Sequence, residues 1–423
     1  MRLGSGNRAR PPVFYGWWLV LAGIVVVGCG MGLNAYCWSQ LPHIVKRLGG
    51  SPSQMGLTLS VYHAVPATAL LAIGPLIDRF GPRKLMLIGI PLASIGYGCL
   101  GAVDRLSILH ILQGLIAIGM SAGFLLPAQT AIANWFVRRR SIALAGISAA
   151  SVLGGLVAKF LAERMAIQPA WPDTLLWLGL VLLGIGLPLA LMIRHRPEDY
   201  GYLPDGKAAI VERGNEPSSQ HDHAVEEISF TWRQALRTRT LWMLALAMAL
   251  ATGAGMVRSI FLPQQGFDAA TIQRITEIGS VMGVVGILVF GYLGDLFPKR
   301  NLLALAVVLQ SISIVFLMTG GGIGQIFLYA LTFGLGSGTI SLMLAIRADY
   351  FGRRSFATIT AVMGFVGGIV TAPISLLCVW LAGHTGNILT SLLLVSGGLA
   401  AAVLFFFSRP PGVPQEVSAS ARS

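Results

Sequence analysis

The sequence predicts an all-α membrane protein whose twelve transmembrane helices form two similar six-helix bundles. Hydrophobic residues make up 55% of the 423-residue chain and charged residues only 11%, against about 25% charged residues in soluble domains. Twelve apolar runs have about the 20 residues that a helix needs to cross a hydrocarbon core of roughly 30 Å. Short charged motifs also recur at a nearly constant offset between the two halves of the chain.

Short loops separate most of the twelve predicted helices from their neighbours. The basic N-terminal segment leads straight into the first apolar run, and no small-residue cleavage site follows that run, so we expect it to remain as the first helix. Gly and Pro are frequent inside the runs, as membrane helices tolerate. The predicted spans are 15–37, 55–77, 85–103, 108–135, 141–162, 173–194, 240–262, 271–293, 301–319, 323–346, 356–381 and 388–407.

One long polar segment, residues 195–239, interrupts this pattern and is rich in Pro and Gly. We predict a linker there between an N-terminal bundle, residues 1–194, and a C-terminal bundle with a short tail, residues 240–423. Of the 30 Lys and Arg residues, 23 fall in the N-terminus, the linker, alternate loops and the C-terminus. The positive-inside rule then places both termini and the linker in the cytoplasm of a multi-pass inner-membrane protein.

The net charge of +13 would suggest a nucleic-acid partner in a soluble protein. In a chain this apolar the cations are expected to face anionic lipid, so the predicted partner is membrane lipid and not nucleic acid. The four cysteines lack metal-ligand spacing, and we expect no metal or other cofactor. The chain also lacks the phosphate-loop motif of ATP-driven pumps. These features favour a protein that is not an enzyme; we also expect a monomer.

Two motif pairs indicate an internal repeat. GPLIDRFGPRK, which contains Asp78, has a counterpart in GYLGDLFPKR, which contains Asp295. WFVRRRS, beginning at Trp135, has a counterpart in YFGRRS, beginning at Tyr350. Because the two independent pairs share nearly one offset, we expect the halves to be structural copies related by an axis along the membrane normal.

The first motif resembles the G-x-L-x-D-R-x-G-x-R-R/K signature of the major facilitator superfamily, and the chain resembles that superfamily over nearly its whole length. FYGWW, WFVRRRSIALAG, RPEDYGYLPDG and YFGRRSFATI resemble, more narrowly, the bacterial monocarboxylate and oxalate/formate antiporter-like branch. The resemblance implies a secondary active transporter that moves a small organic anion by alternating access, coupled to protons or to a counter-substrate. The residues that match the signature are Gly74, Leu76, Asp78, Arg79, Gly81, Arg83 and Lys84.

The resemblance also implies that this motif gates the cytoplasmic side until the two halves rock. Nearby cations and helix N-termini would stabilise the Asp78 carboxylate, and Gly74 and Gly81 would allow close backbone approach and a tight turn. The alternative is that the loop cations only set topology. In the second copy, Asp295 is expected to pair with Lys299 or Arg300. The predicted gating residues are Gly74, Asp78, Arg79, Gly81, Arg83, Lys84, Asp295 and Arg300.

Ionisable and polar residues inside the spans are the candidates for a substrate site, because lipid makes them costly. Arg258 is the first choice, since a guanidinium binds a carboxylate in bidentate fashion; the alternative is that it extends to the outer interface. His63 could carry protons or bind an anion, or be a packed histidine. Asn34, Tyr36 and Gln129 are further candidates, although bonding between helices explains such residues as well.

Two other functions remain open at this stage. A drug or metabolite efflux permease would share the fold, but for cationic substrates it would need an acidic residue deep in the first half, which the sequence lacks. A receptor or assembly protein with a transporter-like fold would move no solute, so flux through proteoliposomes separates it from both.

Overall fold

The computed structural model describes residues 14–164, 171–206, 229–261, 268–318, 322–384 and 387–412; for some residues inside helices, His63 and Arg258 among them, it describes the backbone alone. In the N-terminal half the helices are α1 (Tyr15–Arg47), α2 (Pro52–Phe80), α3 (Pro82–Cys99), α4 (Leu106–Gly123), α5 (Leu125–Trp135), α6 (Arg140–Arg164) and α7 (Trp171–Met192). In the C-terminal half they are α8 (Trp232–Leu236), α9 (Arg239–Phe261), α10 (Ala269–Gly294), α11 (Lys299–Met318), α12 (Ile323–Gly336), α13 (Thr339–Phe351), α14 (Phe356–His384) and α15 (Asn387–Phe407).

These helices fit the predicted twelve-span fold. Nine helical segments of the described ranges are long and apolar enough to cross a membrane, and α9 and α14 contribute shorter apolar stretches. The observed helices extend past several predicted ends. In particular, α1 continues to Arg47 and α13 to Phe351, because the hydropathy pattern stops at the first polar residue while the backbone hydrogen bonds of the helix continue.

Local sequence explains where several helices begin. Ser51 caps α2 with a capping box that includes Gln54, which satisfies two of the backbone N–H groups that a helix start leaves free. Asp268 caps α10 through the N–H of Thr271. The turn between α2 and α3 is made by Gly81 at φ +87°, and Pro82 follows as the first residue of α3, a position at which proline costs no hydrogen bond.

The fourth and tenth spans are each broken into two helices at matching places. The first break lies at Phe124 (φ −127°, ψ −95°), between α4 and α5, and the second lies at Ser337 and Gly338, between α12 and α13. The separation of the two breaks along the chain is close to the offset of the repeated motifs. In membranes, non-helical backbone is tolerated where it is buried in protein or lines a cavity.

The two halves pack by the same scheme. In the N-terminal bundle α3 packs against α4 and α7, and α1 packs against α6 and α7; in the C-terminal bundle α11 packs against α12 and α15, and α9 packs against α14 and α15. Each bundle has an apolar core, and the core of the N-terminal bundle extends to Leu344, Ala345, Ala348 and Phe356 of the other half. The bundles meet mainly along two helix pairs, α2 with α14 and α6 with α10. Large apolar side chains such as Ile111, Trp177 and Phe407 are exposed on the outside of the bundles, as lipid contact requires.

Candidate functional site

A cavity of about 710 Å³ lies between the two bundles. Its wall is mostly apolar and is supplied by α1 to α5 on one side and by α9, α11 and α13 to α15 on the other. Such a cavity, apolar with a few polar groups, is typical of small-molecule sites. Its main polar side chains are Asn34, Gln113 and Gln129 from the N-terminal half and Gln310, Arg347 and Thr360 from the C-terminal half.

Three predicted substrate contacts lie in the described part of this region. Asn34 lines the cavity, and its Oδ1 accepts a hydrogen bond from the Tyr97 hydroxyl at 3.0 Å. Gln129 also lines the cavity and is buried. Tyr36 is instead buried in the core of the N-terminal bundle and is not among the residues that line the cavity. Residues two apart on a helix do not share a face, so Asn34 and Tyr36 cannot both face the cavity.

The other two predicted substrate contacts lie outside the described side chains. The backbone of His63 belongs to α2 and that of Arg258 to α9, but neither side chain is part of the described structure. Both residues therefore stay predictions.

Arg347 is a cavity residue that the sequence analysis placed in a loop. It lies on α13, with its side chain only 3% exposed and facing the cavity. Its Nη2 donates to the Met248 sulfur at 2.6 Å, and its Nε is buried without a hydrogen-bond partner. Within the described residues no carboxylate pairs with it. A buried guanidinium without an anion is costly, so this position is suited to an anionic ligand.

The pattern that reveals Arg347 is the apolar run on both sides of it. Ala345, Ile346 and Ala348 are buried around it, so the helix continues through the arginine for one more turn to Phe351. Because side chains on a helix tilt toward its N-terminus, the guanidinium is directed from this last turn toward the middle of the span. The predicted span ends at residue 346, just before this cation, and therefore places Arg347 in the loop.

The bundles contact each other at the end that carries the Gly81 turn and the loops 136–139 and 352–355, here called the basic end. Asp78 of α2 is one centre of this contact. Its carboxylate accepts hydrogen bonds from the N–H groups of Ala357 (3.1 Å) and Thr358 (2.8 Å) and from the Thr358 hydroxyl. These groups form the N-terminus of α14 in the opposite bundle, where the helix dipole also favours a negative charge.

Asp295 repeats this arrangement in the second half. Its carboxylate accepts hydrogen bonds from the N–H groups of Ser141 (2.9 Å) and Ile142 (3.2 Å) at the N-terminus of α6. Among the described residues Asp295 forms no ion pair with Lys299 or Arg300: Lys299 pairs with Asp349 instead, although its charge still acts on Asp295. Burial raises the pKa of the Asp295 carboxyl, and the hydrogen bonds from Ser141 and Ile142 and the charge of Lys299 oppose this rise only in part.

A glycine four residues before each aspartate lets the helices meet. A Cβ at Gly74 would lie 2.9 Å from the Ala361 Cβ and 3.0 Å from the Ala357 oxygen. A Cβ at Gly291 would collide with the Ala145 Cβ. Each close approach brings the helix N-terminus of the other bundle within reach of the aspartate.

The loop cations of the first motif lie apart from the Asp78 carboxylate. Arg79, Arg83 and Lys84 are exposed at the basic end, and the described hydrogen bonds of Asp78 go to α14 instead. Gly81 has both a left-handed φ and the His195 ring 3.2 Å from where its Cβ would be, so a side chain there would be strained and crowded. Burial also lowers the pKa of the His195 imidazole.

Ion pairs complete the basic-end contact. Arg140, only 1% exposed, places its Nη1 2.8 Å from Asp349 Oδ1 in the opposite bundle, and Lys299 Nζ lies 2.6 Å from Asp349 Oδ2. Arg300 lies in the same small pocket as Asp349 and Tyr350. Near the other end of the bundles, Lys159 on α6 and Glu277 on α10 form an ion pair of 2.8 Å across the interface.

The first part of the linker, residues 195–206, folds onto the basic end and is called the linker strap here. The Asp205 carboxylate accepts hydrogen bonds from the N–H groups of Val137 (3.2 Å) and Arg138 (2.8 Å). From the same strap, Glu198 reaches the C-terminal bundle, where its Oε1 lies 3.0 Å from Arg353 Nη1. That nitrogen also donates to the Asn134 carbonyl at 2.8 Å. The strap therefore contacts both bundles.

Two similar helical bundles around a central cavity, with matched contacts at one end, are the architecture of a class of membrane transporters built from two parallel repeats. The model of the Major Facilitator Superfamily matches residues 20–272, more than half of the chain. The chain therefore belongs to the Major Facilitator Superfamily, and its relatives are transporters.

Three curated relatives transport organic acids according to their names. The chain is 25% identical over 267 residues to a probable L-galactonate transporter of Escherichia coli (strain K12), covering 61% of this chain and 57% of that protein. It is 25% identical over 268 residues to a probable sulfoacetate transporter of Cupriavidus necator, covering 62% and 60%. It is 27% identical over 340 residues to a gallate transporter of Pseudomonas putida, covering 72% of each. The alignments thus span less than two thirds of the first two relatives.

Two solved structures share the fold. The Escherichia coli fucose:proton symporter superposes with a TM-score of 0.67 at 15% identity, covering 93% of this chain and 98% of that chain. The human organic anion transporter MFSD10 superposes with a TM-score of 0.68 at 14% identity, covering 95% and 100%. At these identities the likeness concerns the fold alone.

Proposed function

We propose that this protein is a secondary active transporter of small organic anions, monocarboxylate-like in character. The observation that carries the proposal is Arg347, a buried guanidinium in the central cavity that has no carboxylate partner within the described structure. A substrate carboxylate or sulfonate would supply the missing charge and accept charge-assisted hydrogen bonds there. The acids named for three relatives, galactonate, sulfoacetate and gallate, all carry such a group.

The proposed cycle is alternating access, with the basic-end contact as the gate. Asp78 and Asp295 would hold the bundles together at that end while substrate enters from the opposite end. Their hydrogen bonds to the helix N-termini of α14 and α6 would break when the bundles rock. We infer that the basic end, both termini and the linker face the cytoplasm of a monomeric inner-membrane protein. The bundles would comprise residues 1–194 and 240–423, and the monocarboxylate and oxalate/formate branch stays part of this proposal.

Uptake into proteoliposomes tests the function. Radiolabelled gallate, L-galactonate or sulfoacetate should accumulate in protein-containing vesicles when a proton gradient or a preloaded counter-anion is imposed. The comparison of these two driving conditions identifies the coupling. No uptake of any of the three anions under either condition would contradict the proposed function.

Substitution of Arg347 tests the observation that carries the proposal. We expect Arg347→Gln to reduce uptake at least about 100-fold, because loss of a charge-assisted pair in a desolvated site costs about 3 kcal/mol or more. Arg105→Gln is the matched control, since Arg105 is 77% exposed and does not line the cavity. Size-exclusion chromatography of both purified variants separates lost binding from lost folding. Wild-type uptake by a folded Arg347→Gln variant would remove Arg347 from the site.

Metabolite efflux is the second candidate, favoured by the apolar cavity wall and by fungal relatives. One relative is the fujikurins efflux protein of Gibberella fujikuroi, 25% identical over 291 residues. Efflux would appear as faster export from cells that express the protein, without uptake of the three small anions.

A further inference from the structure

Among the residues that the structure describes, three side chains on the cavity wall carry buried polar atoms without hydrogen-bond partners. They are the Nε of Arg347, the Oγ1 of Thr360 and, in the opposite bundle, the side-chain amide of Gln113 on α4. Buried polar groups are nearly always paired in proteins. Arg347 and Thr360 place an unpaired donor on each of two neighbouring helices, which indicates a place where a ligand atom binds.

Arg347 and Thr360 lie at the same depth in the cavity. Arg347 is four residues before the end of α13 at Phe351, and Thr360 is four residues after the start of α14 at Phe356. At 1.5 Å per residue, each lies about 6 Å from the basic end of its own helix. Since α13 and α14 are consecutive and run in opposite directions, the Cα atoms of the two residues lie at about the same level, and both residues line the cavity.

Several other helical threonines use their hydroxyl within their own helix. Thr130, Thr252 and Thr332 each donate to the carbonyl four residues earlier in their own helix, at 2.6 to 2.8 Å. This bond is the usual solution for a threonine inside a membrane helix. Thr360, which lines the cavity, does not make it, so its hydroxyl has no acceptor among the described residues.

We propose that Thr360 is a specificity-determining residue that binds the anionic group of the substrate together with Arg347. The guanidinium supplies the charge, and the Thr360 hydroxyl donates to a second oxygen of the same carboxylate or sulfonate. This inference rests on the proposed function and assigns the head-group site to the basic end of the cavity. The apolar wall above it then receives the body of the substrate.

The position of Thr360 also places substrate binding next to the proposed gate. Thr358, two residues earlier on α14, gives its N–H and hydroxyl to Asp78. A substrate anion at Thr360 and the Asp78 carboxylate would therefore act on the same N-terminal part of α14. Because like charges repel and both are attracted to one helix N-terminus, an anion at Thr360 weakens the Asp78 cap and favours opening of the basic end.

Binding to the purified full-length protein tests the assignment. Gallate, L-galactonate and sulfoacetate are titrated by calorimetry, and the one of the two monocarboxylates, gallate or L-galactonate, that binds more tightly is compared with its uncharged amide. Thr360→Val keeps the shape of the side chain and removes the donor, and we expect it to weaken anion binding about tenfold or more. Binding of the amide should change much less, so the preference for anion over amide should fall.

Two variants make the result specific. Thr360→Ser retains a hydroxyl and should restore most of the affinity. Thr332→Val is the matched control, because Thr332 on α12 does not line the cavity and bonds within its own helix. Unchanged anion affinity in Thr360→Val, with binding lost in Arg347→Gln, would overturn the role of Thr360 and leave the proposed function standing. No binding of any of the three anions to the wild type would overturn both.

Discussion

At the scale of single residues, two carboxylates join the bundles by binding helix N-termini, where ion pairs with nearby cations were expected. Asp78 and Asp295 each bind the free N–H groups that begin a helix of the opposite bundle. A helix N-terminus offers several donors and a partial positive charge in a fixed direction. It therefore holds a carboxylate without the entropy cost of ordering a long lysine or arginine side chain.

Removal of the Asp78 charge tests the contact. Asp78→Asn should destabilise the closed basic end by about 1–3 kcal/mol, roughly 5- to 150-fold in the balance between conformations. In uptake assays this should lower turnover more than it lowers substrate affinity, because Asp78 does not line the cavity. Asp104→Asn, at an exposed carboxylate, is the control. A defect in affinity with normal turnover would contradict a gating role.

The sequence predicted that Asp78 and Asp295 take part in this contact, but not which groups they bind. The charge of Asp78 and the spacing of the glycines are visible in the motif, but the partner N–H groups belong to every residue type and leave no signal. Arg347 shows the reverse case. The charge of Arg347 is visible in the sequence. Its burial follows only because α13 continues for one further turn. Apolar runs do not reveal this turn, because cavity walls and lipid-facing walls have similar composition.

At the scale of elements, the two halves resemble each other more closely than their sequences do. The repeated motifs predicted two copies, and the breaks at Phe124 and Gly338 extend the repeat to places where the sequences differ. The linker strap has no such counterpart in the fold described here. The sequence predicted only a polar linker for its motif, RPEDYGYLPDG. The hydrogen bonds of Asp205 to loop 136–139 join positions 66 to 68 residues apart, so no local pattern reveals them.

The attachment of the linker strap is testable by proteolysis. Asp205→Ala leaves the N–H groups of loop 136–139 without their acceptor and should free the strap, since hydrogen bonds to charged groups contribute about 1.5–3 kcal/mol. We expect chymotrypsin to cleave after Tyr200 or Tyr202 at least about tenfold faster in this variant. Asp199→Ala, an exposed carboxylate in the same strap, should cleave at the wild-type rate. Equal rates in both variants would show that Asp205 does not anchor the strap.

At the scale of the whole molecule, the bundles are held at the basic end by contacts of several kinds. Two helix caps, the network of Arg140, Asp349 and Lys299, and the Glu198–Arg353 pair all join residues distant in sequence. Toward the other end, the described ion pair across the interface is Lys159 with Glu277. In the proposed cycle, rocking of the bundles exchanges the basic-end contacts for solvent, so groups that titrate there would link the balance between conformations to pH.

The pKa of Asp295 gives the direction of this pH dependence. Burial raises its pKa above the ordinary 3.8 while the basic end is closed, and opening would return the carboxyl to water and to its ordinary pKa. The closed form then binds the proton more tightly. Its extra stability is fully present below the ordinary pKa and is lost as pH rises through the raised pKa, so acidification should favour the closed basic end.

Distance measurements between spin labels test this sign. Labels at Arg139 and Arg354, both exposed and on opposite bundles, report closure by double electron–electron resonance in a variant without the four native cysteines. The short-distance population should grow between pH 7.5 and pH 4.5 in the wild type and grow less in Asp295→Asn, which cannot titrate at this position. A closed population that shrinks on acidification would mean that the hydrogen bonds from Ser141 and Ile142 outweigh burial, and the carboxylate itself would then be what keeps this end closed.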